Sequence, residues 1–461
     1  MPSPHYRGYT RPLAGRSAIL HAVAGEAGVE PYPPAKSAGL ADLAAAVLRE
    51  VLDRLTQAAP ALAGGLRGQL AGELRTLEEL LMEARPPKLM VVGRRGAGKS
   101  SLVNAVVGEQ LAAVGSVLAQ TGELRWYSHS TARGELRLLD TRGLGDSSRP
   151  EAANFPAGMP RLATGGAAAH GALAEIAAAL DSEPPDSVLF LCKAKEVDAR
   201  IGEDIDNLVE IRSLVRRRHR YELPVVAVVT QVDELDPKRV EPPYDDPVKQ
   251  RNIAVAVAAV EAALAQRGIA LAHVVPVSAY AEERDGVRVY DNYWNIDRLV
   301  EYLIDGLPQS AQLQLARLSR QRAVQERLAR RLTGAAATLS AGIGAVPIPL
   351  ADIFPITGLQ VGLITAIAYL SGREASRETA REFLVALGAN VGAAFALREA
   401  ARALAKVVFP GAGSAISGGV AFAGTWGVGE AATAYFIQGR SIREAKRLLR
   451  RRRRQADAPA D

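Results

Sequence analysis

Gly93-Arg94-Arg95-Gly96-Ala97-Gly98-Lys99-Ser100 has the residue types and spacing needed to cradle a row of phosphates. Glycines let the backbone turn its N–H groups toward an anion at a helix N-terminus, where the aligned peptide dipoles favour negative charge. In such a loop Lys99 reaches the β- and γ-phosphates and the Ser100 hydroxyl ligates Mg2+. Gly93, Gly96, Ala97, Gly98 and Ser101 complete the candidate phosphate-binding positions. The loop needs a strand before it and a helix after it. Lys88-Leu89-Met90-Val91-Val92 reads as a buried strand, and Ser101 to Val106 opens an apolar-periodic helix. Arg94 and Arg95 are expected to be solvated charges at the crest, the alternative being contact with phosphate or a facing protomer.

Three more motifs follow in order. Glu135 to Leu139 alternates like a strand and runs into Asp140-Thr141-Arg142-Gly143. At a strand end Asp140 can hold magnesium through water, and the Gly143 N–H can meet the γ-phosphate. Leu223 to Val229 is a β-branched run that reads as a buried parallel strand ending in Thr230-Gln231-Val232-Asp233. This resembles the Asn/Thr-Lys-x-Asp of GTPases, which implies that the Asp233 carboxylate accepts from guanine N1–H and the exocyclic amine. Adenine lacks that pair and would leave the charge unsatisfied. A last strand, His273 to Val277, leads to Ser278-Ala279, where the Ala279 N–H would meet the base oxygen.

From Lys88 to about Leu307 this ordered set resembles the Era-like branch of the translation-factor-class GTPases. The resemblance implies an α/β fold with a mostly parallel sheet, GTP and GDP as substrate and product, and Mg2+ as cofactor. Gln231 stands where the family places a lysine along the base, so that contact should be weaker. Leu144 follows Asp-x-x-Gly where Ras-like enzymes carry a water-orienting glutamine, so intrinsic hydrolysis should be slow. Thr121, in Ala119-Gln120-Thr121-Gly122-Glu123, is the expected switch threonine completing the Mg2+ shell with Ser100 and Asp140. Thr131 is the poorer candidate because it should sit in a hairpin turn with Arg133-Gly134. Lys99, Thr121 and Gly143 are the expected catalytic set.

A chain of 461 residues is too long for one core. The expected organisation is a flexible N-terminus (1–37), an N-terminal helical segment (38–85), a GTPase domain (86–308), an apolar Ala/Gly-rich all-α domain (309–442) and a basic tail (443–461). Leu40, Leu43, Val47, Leu48, Val51, Leu52 and Leu55 form one helical stripe, and Leu74, Leu77, Leu80 and Leu81 a second. An insertion is expected over 145–185, with a short helix over 171–180. The single cysteine, Cys192, excludes a disulfide framework and reads as a buried core thiol. Met1 to Lys36 has no apolar signal region, so a cytoplasmic protein is expected. A net charge of +6 is modest for this length and argues for no specific nucleic acid.

Thr333 to Gly372 carries one charge, Asp352, around Pro347, Pro349 and Pro355, which predicts two short apolar helices joined by a turn that Asp352 caps. Val407 to Gly429 is uncharged and long enough to span a bilayer, with close glycines at Gly411, Gly413, Gly418 and Gly419 that permit tight helix packing. A membrane-inserted hairpin and a buried soluble bundle both fit. Arg443, Lys446, Arg447 and Arg450 to Arg454 form a basic run suited to an anionic membrane surface, a solvated tail or loose RNA contact. Ile348 to Thr357 with Gln360 resembles bacterial Era-like GTPases that carry an apolar C-terminal domain of unknown function. That resemblance implies a GTP-binding module coupled to a helical domain often regarded as membrane-associated. The leading expectation is a GTP-hydrolysing switch whose helical domain touches membrane or self-associates, with a homodimer through either domain as a further expected partner. The competing readings are a ribosome- or RNA-assembly GTPase and a nucleotide-binding scaffold with negligible turnover.

Overall fold

Apolar residues alternating along five parallel strands divide the interior into two layers, one on each face of a central sheet. The computed structural model describes residues 38–58, 64–94, 96–108, 126–141, 176–181, 183–197, 201–269, 273–284, 287–345, 353–374, 376–388 and 412–457. The strands are β1 (Lys88–Gly93), β2 (Trp126–Thr131), β3 (Gly134–Thr141), β4 (Ser187–Lys193), β5 (Val225–Thr230) and β6 (His273–Pro276). They form one six-stranded sheet in the order β2-β3-β1-β4-β5-β6. Only β2 runs antiparallel, against β3; the other neighbours are parallel. Thr131 closes the β2–β3 turn, its hydroxyl accepting from Arg133 N at 3.0 Å and donating to Gly134 O at 3.2 Å.

Met90, Val92, Val188, Phe190, Cys192, Ala227 and Val229 face one layer, built from the helical residues 176–181, α4 (Ile201–His219) and α5 (Pro247–Gln266). Leu89, Val91, Leu136, Leu138, Leu189, Leu191, Val226 and Val228 face the other. That second layer begins with α3 (Lys99–Val107), α6 (Ile296–Gly306) and α7 (Gln309–Ser319). It continues without a break into α1 (Ala38–Ala58), α2 (Gly64–Leu77), α8 (Arg322–Ala345), α9 (Ile353–Leu370), α10 (Arg377–Gly388), α11 (Ala412–Ala432) and α12 (Ile442–Asp457). The architecture is thus an α/β unit with flanking N-terminal helices and a helical C-terminal region, in agreement with the sequence pattern.

Helix α7 is the keystone, with every residue from Ala311 to Ser319 buried. Arg317 is 1% exposed. Its guanidinium donates to Arg133 O at 2.6 Å, Tyr369 O at 2.8 Å and Arg373 O at 2.9 Å. It also lies 3.7 Å from the Tyr369 ring centroid. Burial lowers its pKa, yet a guanidinium stays charged at any ordinary pH. One side chain therefore joins the β2–β3 turn to the C-terminal end of α9. Next to it, Gly108, which ends the phosphate-loop helix α3 in a left-handed conformation, packs against Arg320 and Ser319.

The glycine-rich helix α11 lies against α8 at backbone distance. A Cβ at Gly418 would stand 3.0 Å from Ala341 O, and one at Gly429 only 2.3 Å from Thr333 Oγ1. Gly419 by contrast faces open space. Gln360 Nε2 donates to Thr425 Oγ1 (3.2 Å), which donates to Ser340 Oγ (2.9 Å), linking α9, α11 and α8. Among the described residues no helix is long and apolar enough to cross a membrane. The expected turn cap Asp352 and glycine Gly411 lie outside the described residues, as do 1–37. The basic run begins as a helix: Ser441 and Glu444 form a reciprocal capping box at 2.9 Å (Ser441 N to Oε2) and 3.3 Å (Glu444 N to Oγ). Ala445 and Leu449 are buried, whereas Arg443, Arg447 and Arg450 are exposed.

Candidate functional site

The end of β1 delivers the chain into a loop whose shape its glycines determine. A Cβ at Gly93 would stand 2.9 Å from Leu191 O, so β1 and β4 approach closely only with glycine there. Gly96 (φ 75°) and Gly98 (φ 80°) take left-handed conformations that L side chains strain to reach. Gly98 caps α3, placing Lys99, Ser100 and Ser101 in its first turn with their N–H groups unused by the helix. Lys99 Nζ is folded back over the loop, donating to Gly93 O at 2.9 Å and Arg94 O at 3.2 Å.

Strand β5 brings the second motif against this loop. The Thr230 hydroxyl lies 2.9 Å from Ala97 O and 3.2 Å from Cys192 O. Gln231, with φ 58°, turns its Nε2 to donate to Gly96 O at 2.8 Å. The amide therefore ties the base-side loop to the phosphate loop, where the resemblance had placed a lysine. Asp233 sits in the short turn Val232–Glu234 and accepts from Ser278 Oγ at 3.0 Å. Ser278 in turn is paired with Trp294: Trp294 N donates to Ser278 O at 2.9 Å and Ser278 N to Trp294 O at 3.3 Å. Ala279 follows, half-buried. Along the rim of C-terminal strand ends, Gly93, Gly96, Ala97, Gly98, Lys99, Ser100 and Ser101 lie where β1 passes into α3, Thr230, Gln231 and Asp233 lie at and beyond the end of β5, and Ser278 and Ala279 lie just beyond β6. Contacts join Ala97 to Thr230, Gly96 to Gln231 and Asp233 to Ser278.

Asp140, next to last in β3, pairs with Val91, one register step before Val92, which pairs with Thr141. That alignment puts the Asp140 backbone beside the strand that enters the phosphate loop. The Ser100 hydroxyl, in the first turn of α3, suits a Mg2+ that takes most of its oxygens from phosphate and water. Thr121, Gly143, Leu144 and Arg95 lie outside the described residues.

Arg94 is not the solvated charge its position suggested. Its Nε donates to Asp204 Oδ2 at 2.7 Å and an Nη lies 3.8 Å from Glu203 Oε2, both in the first turn of α4. The Asp204 carboxylate holds the guanidinium pKa above its ordinary value. Cys192 is the buried core thiol expected, its pKa driven up by burial.

Three side chains at this rim escape motif reading. Lys193, the last residue of β4, holds its Nζ 2.8 Å from Glu196 Oε1 and just over Gly96, whose added Cβ would meet it at 3.4 Å. Its only sequence signal is a charge ending an apolar strand. Lys249 and Tyr244 lie beneath Asp233. Lys249 Nζ donates to Asp233 O at 2.7 Å and Leu235 O at 2.5 Å. Tyr244, fully buried, donates its hydroxyl to Asn292 Oδ1 at 3.1 Å, and burial pushes its pKa up to about 12. Beyond Ala279 the chain also forms a hairpin, β7 (Ala281–Arg284) with β8 (Val287–Asp291), which displays Tyr280 and Tyr290 with ring centroids 5.7 Å apart.

Residues 88–231 match the model of a family described as 50S ribosome-binding GTPase. The tRNA modification GTPase MnmE of Yersinia pseudotuberculosis serotype O:1b (strain IP 31758) is 36% identical over 93 residues, covering 18% of this chain and 20% of that protein. The MnmE of Yersinia pestis bv. Antiqua (strain Angola) matches to the same extent. The chain spans about a fifth of the length of the curated relatives it matches. Among solved structures, Era in complex with MgGDPNP and 16S ribosomal RNA aligns at 17% identity over 52% of this chain and 67% of that one, with a TM-score of 0.30. Toc33 from Arabidopsis thaliana in complex with GDP and Mg2+ aligns at 18% identity over 53% and 92%, with a TM-score of 0.30.

Proposed function

We propose that this chain, whose residues 88–231 form a P-loop GTPase domain, binds and hydrolyses GTP and uses the nucleotide state to control its helical region. The observation that carries the reading is the joining of phosphate loop to base loop: Thr230 and Gln231 bond the carbonyls of Ala97 and Gly96 while Ser278 orients Asp233. A site built this way holds phosphates and a guanine edge at one fixed separation. Loss of either end disturbs the other.

The chemistry is phosphoryl transfer to water. A bond forms from the water oxygen to the γ-phosphorus as the bond to the β–γ bridging oxygen breaks, leaving GDP and phosphate. Lys99 and the first-turn N–H groups of α3 carry the charge that develops on the transferring group. Ser100, Thr121 and Asp140 would hold Mg2+, whose charge would offset that of the phosphates. The Gly143 N–H would meet the γ-phosphate. Leucine at position 144 offers the attacking water no hydrogen bond, so turnover is slow without a partner or second subunit.

Binding of labelled GDP and ADP to wild type and Asp233→Asn tests the nucleotide. Preference for GDP that moves toward xanthosine diphosphate in the variant supports the guanine pocket. Equal ADP and GDP affinity refutes it. Phosphate release over several turnovers, against Lys99→Ala, separates a switch from a non-hydrolysing scaffold.

For the helical region the leading partner is an anionic membrane surface, met by the exposed Arg443, Arg447 and Arg450 of α12 at about 1 kcal/mol per charge. Self-association through either region would carry the same nucleotide signal. The description of the matched family, 50S ribosome-binding, favours a second reading in ribosome or RNA assembly. Flotation with phosphatidylserine vesicles against co-sedimentation with ribosomes distinguishes the two, each with GDP and with a non-hydrolysable GTP analogue.

A further inference from the structure

Lys249 is 0% exposed. A buried ammonium loses its hydration, and a methionine of similar length would fill the space without that cost. Its placement follows from the helix start. Asp246 caps α5 by accepting from Val248 N and Lys249 N, both at 2.9 Å, with Pro247 at the first helical position. That turn directs the Lys249 side chain at the loop carrying Asp233.

The two carbonyls it holds, Asp233 O at 2.7 Å and Leu235 O at 2.5 Å, lie in and just after a single 3-10 turn. One ammonium gripping both fixes the backbone on each side of Glu234. Asp233 is thereby held from two directions, by Lys249 through its main chain and by Ser278 Oγ through Oδ1 at 3.0 Å. The frame then closes on itself. The Tyr244 ring centroid is 5.1 Å from Lys249 Nζ and 5.1 Å from the Trp294 ring, and Trp294 exchanges backbone hydrogen bonds with Ser278.

Guanine recognition makes a narrow demand on this frame. Both carboxylate oxygens must lie in the plane of the base edge to accept N1–H and the exocyclic amine together. We infer that Lys249 is a positioning residue for base selectivity: its buried ammonium sets the Asp233 backbone so that the carboxylate meets both donors of guanine. The inference rests on the guanine reading above. Desolvation lowers the Lys249 pKa, and the charges of Asp233 and Asp236 oppose that shift.

The test compares GDP with inosine diphosphate, which differs only in lacking the exocyclic amine. Wild type should prefer GDP by about 10- to 150-fold, the weight of one hydrogen bond to a charged group. In Lys249→Met that ratio should fall to within a few-fold, as in Asp233→Asn, while Lys249→Arg restores much of it. Thermal unfolding and circular dichroism establish that each variant is folded. Should the methionine variant not fold, Lys249→Gln, whose neutral amide reaches one carbonyl, is expected to give an intermediate ratio. A folded Met or Gln variant that keeps the wild-type ratio overturns the inference and leaves the guanine pocket standing. A wild type that binds the two nucleotides equally overturns the guanine reading and this inference together.

Discussion

Replacing Arg317 by methionine should separate the stabilities of the sheet and the helical region. The guanidinium makes three hydrogen bonds, to Arg133, Tyr369 and Arg373 carbonyls, from a site that is 1% exposed. A hydrogen bond involving a charged group contributes about 1.5–3 kcal/mol, so the three together represent roughly 4–9 kcal/mol. Burying the cation offsets several kcal/mol of this, a cost methionine avoids. The net destabilisation expected is about 3 kcal/mol, mostly from carbonyls left without a donor. Tryptophans report both sides: Trp126 on β2, Trp294 beside the base loop and Trp426 in α11. Single-tryptophan versions followed in urea should unfold together in the wild type, because one apolar core unites the regions. In Arg317→Met the Trp426 transition should part from that of Trp126, and the midpoint of at least one should fall. A loss below about 1 kcal/mol with coincident transitions would refute the keystone role of Arg317.

Two further outcomes follow from named contacts. Gln231→Lys exchanges a neutral donor to Gly96 O for a charged one, and should tighten GDP about 5-fold by calorimetry; unchanged or weaker binding would show the glutamine to be the better fit here. Gly429→Ala would force a Cβ to 2.3 Å from Thr333 Oγ1 and should cost about 1–3 kcal/mol, whereas Gly419→Ala meets nothing within 4 Å and should stabilise α11 by about 0.5–1 kcal/mol. Thermal unfolding that ranked the two in the reverse order would refute the packing argument.

The strands were legible because burial on both faces demands continuous apolar runs, and Val225 to Val229 or Val188 to Leu191 can satisfy that demand in few other ways. The phosphate loop was legible because left-handed turns at Gly96 and Gly98 leave little choice of residue. Helix α7 was not, for Gln312, Gln314, Arg317 and Ser319 look like surface until their partners, Leu307 O, the Tyr369 hydroxyl, Arg133 O and Ala316 O, are known. Lys249 is silent for the same reason: a long-range hydrogen bond leaves no periodicity. The β7–β8 hairpin was missed because its strands carry charge and little apolar alternation. The arginine run concealed a helix start that Ser441 and Glu444 announce by their spacing.

The layer that the sheet shares with the C-terminal helices also dictates an order of events while the protein is being made. Helices α1 and α2 leave the ribosome before the sheet, yet Leu48, Leu77 and Leu81 share a lining with Leu332, Ala336, Leu359 and Leu363, synthesised after the whole sheet. The sheet in turn waits for α7 to cover Leu136 and Leu138. The early helices must be carried unpaired through most of translation, and the β3 edge of that face stays uncovered until α7 arrives. Contacts so distant in sequence make closure slow and leave apolar surface open meanwhile. The C-terminal helices therefore complete this layer, and a chain cut before α7 would leave Leu136 and Leu138 of β3 uncovered.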